Sequence, residues 1–365
     1  MTAQQVAPDA REEGLRAGGT AAGTGDVPRR GRAVLVNGPG ELSLVEVDVP
    51  EPGPGEVLVR IAWCGICGSD REVLAGSRPA QFVRYPVIPG HEWSGTVAAV
   101  GAGVDAGLVG RGVVGEGIRP SRTNPASVVG DVAGSDTPYE ETGFTLPGGW
   151  SDYLLLPSDL LHVLPEGADL RAAAGIEPAA CVAEAVLLAD LTVGSKVAVI
   201  GAGALGLLAT QLLKGAGAEV TVLHHNDSRE ELARRCGAAH YAISGSAGED
   251  GLFGTFDAVV EAAGVPGVAR LATRLGRPGA RVVLTGIPGE DADDLSSLEL
   301  VTSQVHVLTV FGAPTRAWAY AVRAFAQGIL DPSVIVTHEF GLEDAAEALD
   351  LLGRRSGALK VLLHP

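Results

Sequence analysis

The chain has 365 residues, of which 46% are hydrophobic, and its formal net charge is −17. This length is sufficient for two globular domains with separate cores. The negative charge argues against nucleic acid as a partner, and a sequence without a run of about 18 apolar residues argues against a membrane span. Four cysteines and no sign of a secretory or transit peptide predict a reducing, cytoplasmic location.

The first part of the chain predicts a tail followed by a small β-rich domain. Residues 1–31 are rich in glycine, alanine and charge without a hydrophobic period, which is typical of disorder. Residues 32–178 contain short strand patterns separated by glycine and proline, and these predict a small barrel. The strand patterns cover 33–36, 42–47, 56–61, 94–100, 112–115 and 150–156. The polar segment 116–148 interrupts them and predicts a functional or mobile loop.

From residue 179 the period changes to alternating strands and helices. Predicted strands lie at 196–200, 219–225, 257–261, 281–285 and 306–311, and predicted helices at 180–191, 205–215 and 227–236. Such alternation predicts a parallel, doubly wound α/β sheet over residues 179–315. Residues 316–365 contain two helical patterns and a last strand at 359–363, and we expect this segment to return to the first domain.

A candidate metal site lies in the first domain. Cys67 begins the run Cys-Gly-Ser-Asp, and His91 and Glu92 end the run Pro-Gly-His-Glu. Sulfur, imidazole and carboxylate suit a tetrahedral Zn²⁺ ion, and three protein ligands leave a fourth position open for catalysis. Glu177 supplies a further carboxylate. Cys64 forms a lone CxxC pair with Cys67, which is weak evidence for a zinc knuckle, and we expect it to be a buried thiol.

The neighbours of Cys67 strengthen the metal hypothesis. Ser69 is placed to hydrogen-bond an alcohol at the metal. Asp70 is placed to accept the second ring N–H of His91, as carboxylates commonly do beside a metal-bound histidine. A histidine alone is more often an ordinary polar residue, but these partners favour a ligand.

The second domain contains a candidate dinucleotide loop that follows a predicted strand and opens a predicted helix. Gly201 permits the tight turn, Gly203 lets a pyrophosphate approach the backbone, and Gly206 lets the helix pack on the strand. The helix start at Ala204 and Leu205 offers free N–H groups and partial positive charge to phosphates. Metal and dinucleotide sites together predict hydride transfer between an alcohol and a carbonyl.

The end of the second strand of this domain bears on the choice of cofactor. NAD-binding proteins usually carry Asp or Glu there, whereas this chain has His224, followed by His225 and, close by, Arg229. Without a repelling carboxylate, and with cationic groups able to attract a 2′-phosphate, the sequence favours NADP(H). NAD(H) is the alternative if Asp227 binds the ribose instead.

The runs Cys64-Gly65-Ile66-Cys67-Gly68-Ser69-Asp70 and Pro89-Gly90-His91-Glu92-Trp93-Ser94-Gly95 resemble the signature of zinc-containing medium-chain alcohol dehydrogenases. The resemblance covers nearly all of residues 32–365. It implies a GroES-like β-barrel catalytic domain and a Rossmann NAD(P)-binding domain. The Glu-Pro pair at 177–178 resembles the sorbitol and polyol dehydrogenase branch.

The resemblance also implies ligands. It makes Cys67, rather than Cys64, and His91 zinc ligands, with Glu177 in the third position directly or through water and Glu92 exchanging with it. Relatives often bind a second, structural zinc through clustered cysteines in the long loop. Segment 116–148 contains no cysteine, so we expect one catalytic zinc and no structural zinc.

The proton path and the substrate follow from the same resemblance. Ser69 would pass the alcohol proton outward, and Glu72 stands where relatives often have a relay histidine. Glu72 is therefore expected either to take the terminal proton or to contact a polar substrate. The segments at 85–97, 143–145 and 338–342 resemble cyclitol and aminocyclitol dehydrogenases of actinobacterial antibiotic pathways.

These resemblances predict a polar polyol, cyclitol or aminocyclitol substrate and its ketone, in bacterial biosynthetic metabolism. A simple alcohol dehydrogenase or aldehyde reductase of the same family is the alternative within the enzyme class. A nucleotide-binding protein without catalysis is the alternative outside it. The family usually forms dimers or tetramers, and we expect a homodimer or homotetramer paired through the strand at 306–311.

Overall fold

A computed structural model of the chain describes residues 27–119, 139–246, 248–288, 295–353 and 357–365. Most of the predicted tail and the middle of the predicted loop 116–148 lie outside the described residues. The first strand begins at Arg30, before the predicted domain start at residue 32, because Arg30 pairs with Asp48 in a hairpin.

Within the described residues, the first part of the chain contains seven strands and two short α-helices. The strands are β1 (Arg30–Gly38), β2 (Glu41–Asp48), β3 (Glu56–Ile66), β4 (Glu92–Val100), β5 (Gly112–Gly115), β6 (Tyr153–Pro157) and β7 (Leu161–Val163), and the helices are α1 (Gly68–Ala75) and α2 (Leu170–Ala173). Helix α1 and strand β7 were not predicted.

The second part alternates helices and strands. Its elements are α3 (Ile176–Ala189), β8 (Lys196–Ile200), α4 (Ala204–Gly215), β9 (Glu219–His224), α5 (Glu230–Arg235), β10 (His240–Ile243), β11 (Phe256–Glu261), α6 (Val268–Leu275), β12 (Gly276–Leu284), α7 (Ser297–Ser303), β13 (His306–Thr309), α8 (Thr315–Ala326), β14 (Val336–Gly341), α9 (Ala345–Gly353) and β15 (Lys360–His364). No helix in the described ranges is both long and apolar enough to cross a bilayer.

The predicted doubly wound sheet is confirmed. Six parallel strands run in the order β10-β9-β8-β11-β12-β13. Strands β8 and β11 are apolar and almost wholly buried, as expected when helices cover both faces of a parallel sheet. The strand order reverses between β8 and β11, and this switch point is where dinucleotides bind in such folds.

The predicted β-rich domain contains a seven-stranded sheet. Six strands follow the order β14-β15-β3-β4-β5-β7, and β6 pairs with β3. Its core includes the large buried side chains of Trp93, Trp150 and Leu156, together with Val361 and Leu363 from β15. The sequence pattern missed β14, because three consecutive polar residues, Thr337, His338 and Glu339, interrupt the alternation that predicts a strand.

Two helices lie at or beyond the predicted domain boundaries. The helix predicted at 180–191 begins at Ile176, because Pro178 lies in its first turn, where a missing N–H costs no hydrogen bond. The boundary predicted between residues 178 and 179 therefore falls inside α3. Helix α8, which the sequence places in the C-terminal return, packs its buried Trp318 into the core of the parallel sheet, and β14 after it joins the seven-stranded sheet.

Candidate active site

The structure brings together three of the four predicted metal ligands. Strands β3 and β4 are antiparallel neighbours, with Gly65 opposite Glu92, so the turn after β3 meets the start of β4. The ligand atoms of Cys67, His91 and Glu92 consequently lie within 4.8 Å of one another. Cys64 is buried beside this group but outside it.

Asp70 joins the two turns of the site. Its Oδ2 accepts a hydrogen bond from the backbone N–H of Cys67 at 2.8 Å, and its Oδ1 lies 3.6 Å from His91 Nδ1. Both Oδ1 and Nδ1 are buried and without a hydrogen-bond partner in the described part of the chain. Burial lowers the pKa of His91, but Asp70 and Cys67 outweigh it, so the net pKa is raised.

This arrangement fits a divalent metal. The imidazole faces Asp70 through Nδ1, which leaves Nε2 for a metal, and the Cys67 sulfur is the soft donor that zinc favours. A bound metal would also account for the two unpartnered atoms, Asp70 Oδ1 and His91 Nδ1. With Nε2 on the metal, the ring proton stays on Nδ1, which faces the Asp70 carboxylate.

Glu92 has a strong partner, Lys360, that the sequence did not predict. Both of its carboxylate oxygens accept hydrogen bonds from Lys360 Nζ at 2.6 Å, and Lys360 also donates to the Ile66 carbonyl at 3.2 Å. Glu92 and Lys360 are 1% and 5% exposed. Metal ligation by Glu92 would therefore compete with a buried ion pair. The available signal was a lone lysine in an otherwise apolar strand, β15.

The fourth predicted ligand, Glu177, lies outside the three-residue cluster. It occupies the first turn of α3, where its Oε1 accepts a hydrogen bond from Cys181 Sγ at 3.7 Å. Burial raises the pKa of Glu177 to about 7, with Glu92 adding to the rise and His91 and Lys360 opposing it. Charges on His91, Glu92 and Lys360 thus all act on the pKa of Glu177, as expected for a carboxyl group near the cluster.

The predicted proton-path residues lie on α1. Ser69 is in its first turn, between Cys67 and Asp70, and is partly exposed. Glu72 is exposed, and its carboxylate lies 3.8 Å from Arg78 Nη1. Glu72 is thus engaged with an arginine that the sequence reading did not single out.

Arg78 leads to a second group of missed residues. Its Nη2 lies 3.3 Å from Glu141 Oε2, and its guanidinium lies 3.7 Å from the centre of the Phe144 ring. The Phe144 ring is 4.7 Å from the His91 ring. Tyr139 also donates a hydrogen bond to Glu141 Oε2. Glu141 and Tyr139 lie in the long loop, whose irregular sequence offers no periodic signal.

The dinucleotide loop has the geometry that its glycines predict. Gly201 has a φ of 105°, in the left-handed region that favours glycine. A β-carbon on Gly206 would collide with the carbonyl oxygen of Gly201, because the helix packs closely on the loop at this position. A β-carbon on Gly203 would meet open space, which a phosphate can occupy. Gly203 caps α4, and Ala204 and Leu205 form the first turn of that helix.

The cofactor-selectivity residues lie at the end of β9. His224 Nδ1 accepts a long hydrogen bond from the N–H of Ala202 at 3.4 Å, and its ring lies 4.1 Å from that of His225. Burial lowers the pKa of His224 to about 4, with His225 and Arg229 adding to the effect. The expected positive charge on His224 is therefore absent at neutral pH. Arg229 donates to the Gly357 carbonyl at 2.8 Å.

Comparison with known proteins identifies the family. Residues 53–166 match the family model described as the alcohol dehydrogenase GroES-like domain, and residues 204–327 match the one described as zinc-binding dehydrogenase. The chain is 30% identical over 345 residues to the starvation-sensing protein RspB of Escherichia coli, covering 91% of this chain and 98% of the relative. It is 31% identical over 341 residues to sorbitol dehydrogenase of Bos taurus, covering 91% and 95%.

Solved structures agree with the sequence relatives. An RspB alcohol dehydrogenase from E. coli CFT073, complexed with NADH, superposes with a TM-score of 0.83 at 27% identity, covering 93% of this chain and 100% of that one. A zinc-binding dehydrogenase from Sinorhizobium meliloti, bound to NADP, gives 0.81 at 28% identity, covering 92% and 99%. The fold and these matches define a two-domain oxidoreductase of the alcohol dehydrogenase class. The chain belongs to the zinc-type medium-chain dehydrogenases, in the branch similar to sorbitol dehydrogenase.

Proposed function

We propose that the protein is a zinc-dependent NAD(P)(H) oxidoreductase that interconverts a secondary alcohol and its ketone. The substrate is a polyol, cyclitol or aminocyclitol of bacterial biosynthetic metabolism. The observation that carries this proposal is the cluster of Cys67, His91 and Glu92, with the buried, unpartnered Asp70–His91 contact behind it. The similarity to sorbitol dehydrogenase supports the polyol class.

The residues of the site have distinct tasks in this reaction. When bound, Zn²⁺ would supply a Lewis acid that polarises the substrate oxygen and lowers the pKa of an alcohol. Cys67 and His91 hold the metal, and Asp70 fixes the orientation of His91. Ser69 takes or returns the proton of the alcohol oxygen from the first turn of α1. Glu72, at the exposed side, is the proposed outer proton acceptor.

Two carboxylates complete the proposed site. Lys360 neutralises Glu92 and holds it at the edge of the cluster. Burial raises the pKa of Glu177 to about 7, and a bound metal on the open side would favour its ionised form, directly or through water. The two glutamates are therefore proposed to exchange as the third ligand, at the expense of a hydrogen bond between Glu92 and Lys360. One zinc per chain is proposed, because segment 116–148 has no cysteine.

The nicotinamide cofactor is proposed to bind across the loop from Gly201 to Gly206, with its phosphates at the start of α4. We propose a preference for NADP(H), because His224 replaces the usual carboxylate and Arg229 supplies the positive charge. Relatives of known structure bind either NADH or NADP, so both cofactors belong in the test.

The assembly and location are proposed on separate grounds. We propose a homodimer or homotetramer paired along β13, the edge strand of the parallel sheet. Beside this edge, α7 exposes Leu298 and Val301 at 71% and 75%, which supports contact with a second copy. All four cysteines are free thiols, in keeping with a cytoplasmic location.

The test is a metal and activity comparison of three variants. Cys67→Ser and His91→Ala should lose zinc and turnover on polyols while keeping the dissociation constant for the dinucleotide within about twofold. Cys236→Ser is the matched control, because it removes a buried thiol that lies beside Gln211 and outside the metal cluster. Full turnover in Cys67→Ser without metal would refute the proposal. Assays with inositols, sorbitol, ethanol and butanol, with both cofactors, identify the substrate class.

A further inference from the structure

A buried polar group that the proposed reaction does not use lies against the metal cluster. Glu141 is 8% exposed and sits in a tight turn, where its carbonyl accepts hydrogen bonds from the N–H groups of Thr145 and Leu146 at 3.0 Å. Gly143 in this turn packs directly on the backbone of Gly90 and His91, since a β-carbon there would lie 2.9–3.0 Å from their atoms. The turn is therefore fixed relative to the metal ligand His91.

Glu141 also faces the space beside His91. A β-carbon added to Gly117 would touch Glu141 Cγ at 3.9 Å and His91 Cβ at 4.0 Å, so the two side chains flank the same glycine. Glu141 Oε2 accepts from both Arg78 and Tyr139, whereas Oε1 has no hydrogen-bond partner among the described residues. One carboxylate oxygen is thus held in place, and no described residue engages the other in a hydrogen bond.

The surroundings place this group at the junction of the two sheets. Phe82 contacts Tyr139 with ring centres 5.1 Å apart, and contacts Phe311 at 5.8 Å. Phe311 follows the carboxyl end of β13, on the edge of the parallel sheet where dinucleotides bind. Gly312 packs against Ile118. The surroundings of Glu141 beside the metal cluster therefore combine apolar rings with one carboxylate.

Arg78 does not make this an anion site. Its Nε donates to the Phe82 carbonyl at 3.1 Å, its Nη2 bonds Glu141, and its Nη1 faces Glu72 at 3.8 Å. One guanidinium between two carboxylates leaves the group with negative charge. A hydroxyl donor would be attracted to the Glu141 oxygen that Arg78 and Tyr139 leave unengaged.

We infer that Glu141 is a specificity-determining residue whose Oε1 accepts a hydrogen bond from a hydroxyl next to the reacting carbinol. Tyr139 and Arg78 are positioning residues that hold the carboxylate. The inference rests on the proposed function and narrows its substrate class to alcohols with a neighbouring hydroxyl. A charge-assisted hydrogen bond of this kind corresponds to about a 10- to 100-fold preference.

The experiment compares trans-1,2-cyclohexanediol with cyclohexanol, two secondary alcohols that differ by one hydroxyl. The zinc-loaded wild type should show a kcat/KM ratio that favours the diol by at least about tenfold. Glu141→Leu should bring the ratio close to one mainly by losing activity on the diol. Glu141→Gln, which keeps the shape and a neutral acceptor, should retain part of the preference. Glu184→Gln is the control. Glu184 is a buried carboxylate in the second half of α3, where it pairs with Arg316.

A binding measurement separates this inference from the proposed function. Each alcohol is titrated into the complex of protein and reduced dinucleotide, where no turnover occurs. Its dissociation constant is obtained from the change in nucleotide fluorescence. A wild type that oxidises neither alcohol contradicts the proposed function, and the binding ratio then still tests Glu141. Folded Glu141→Leu and Glu141→Gln that keep the wild-type diol preference within twofold, in binding and in kcat/KM, would overturn the inference.

Discussion

Replacing Lys360 with methionine tests the electrostatics of the site. Lys360 Nζ makes two hydrogen bonds of 2.6 Å to Glu92 and one of 3.2 Å to Ile66, with both charged side chains almost wholly buried. Burial lowers the pKa of Lys360, but Glu92 outweighs it, so the pKa is raised and the lysine stays charged. Lys360→Met leaves the Glu92 carboxylate without its counter-charge.

The expected cost follows from that burial. Removing one partner of a buried ion pair costs about 3–5 kcal/mol, because the remaining charge is left uncompensated. The double variant Lys360→Met, Glu92→Gln should recover most of that loss, since it removes both charges. The coupling between the two sites should exceed about 2 kcal/mol. Arg30→Met, which breaks an exposed pair with Asp48 in the same part of the chain, should cost less than about 1 kcal/mol.

The assay is urea unfolding in chelator, followed by tryptophan fluorescence. Trp63, Trp93 and Trp150 lie in the β-rich domain with Glu92, so the signal reports mainly on this part of the chain. A Lys360→Met protein whose free energy of unfolding lies within about 1 kcal/mol of wild type would refute the reasoning. A double variant no more stable than Lys360→Met would refute the pairing.

Two further predictions concern the dinucleotide-binding site. Gly203→Val should weaken dinucleotide binding at least about tenfold, because the valine side chain enters the open space for phosphate, and should leave the urea midpoint nearly unchanged. Gly206→Ala should instead lower the free energy of unfolding by about 1–3 kcal/mol, because its β-carbon overpacks the turn. Tight binding by a stable Gly203→Val would contradict this. His224→Asp should shift the NADP/NAD ratio of kcat/KM at least about tenfold towards NAD, and Arg229→Ala should lower kcat/KM for NADP alone. An unchanged ratio in both variants would place the 2′-phosphate elsewhere.

The parts of the fold that sequence predicted are those with a local signal. Strand β8, the glycines after it and α4 lie within a short stretch, and their order alone defines a dinucleotide loop. Cys67 and His91 were identified because each begins or ends a recognisable turn. Helix α1 was missed because it is short, starts at a glycine and is capped by a cysteine rather than by Ser, Thr, Asp or Asn.

The parts that sequence did not predict depend on contacts between distant segments. Lys360 and Glu92 are 268 residues apart, and Arg78 and Glu141 are 63 apart. Neither pair belongs to a periodic pattern, so only the tertiary fold brings its members together. The role given to His224 needed revision for a similar reason, because its pKa depends on burial and on neighbouring cations rather than on residue type.

The most direct measurement is the zinc content of active protein, determined by elemental analysis alongside turnover on a polyol. The account predicts about one zinc per chain, with turnover lost on chelation and restored by added Zn²⁺. Undiminished turnover in protein containing no stoichiometric transition metal would contradict it.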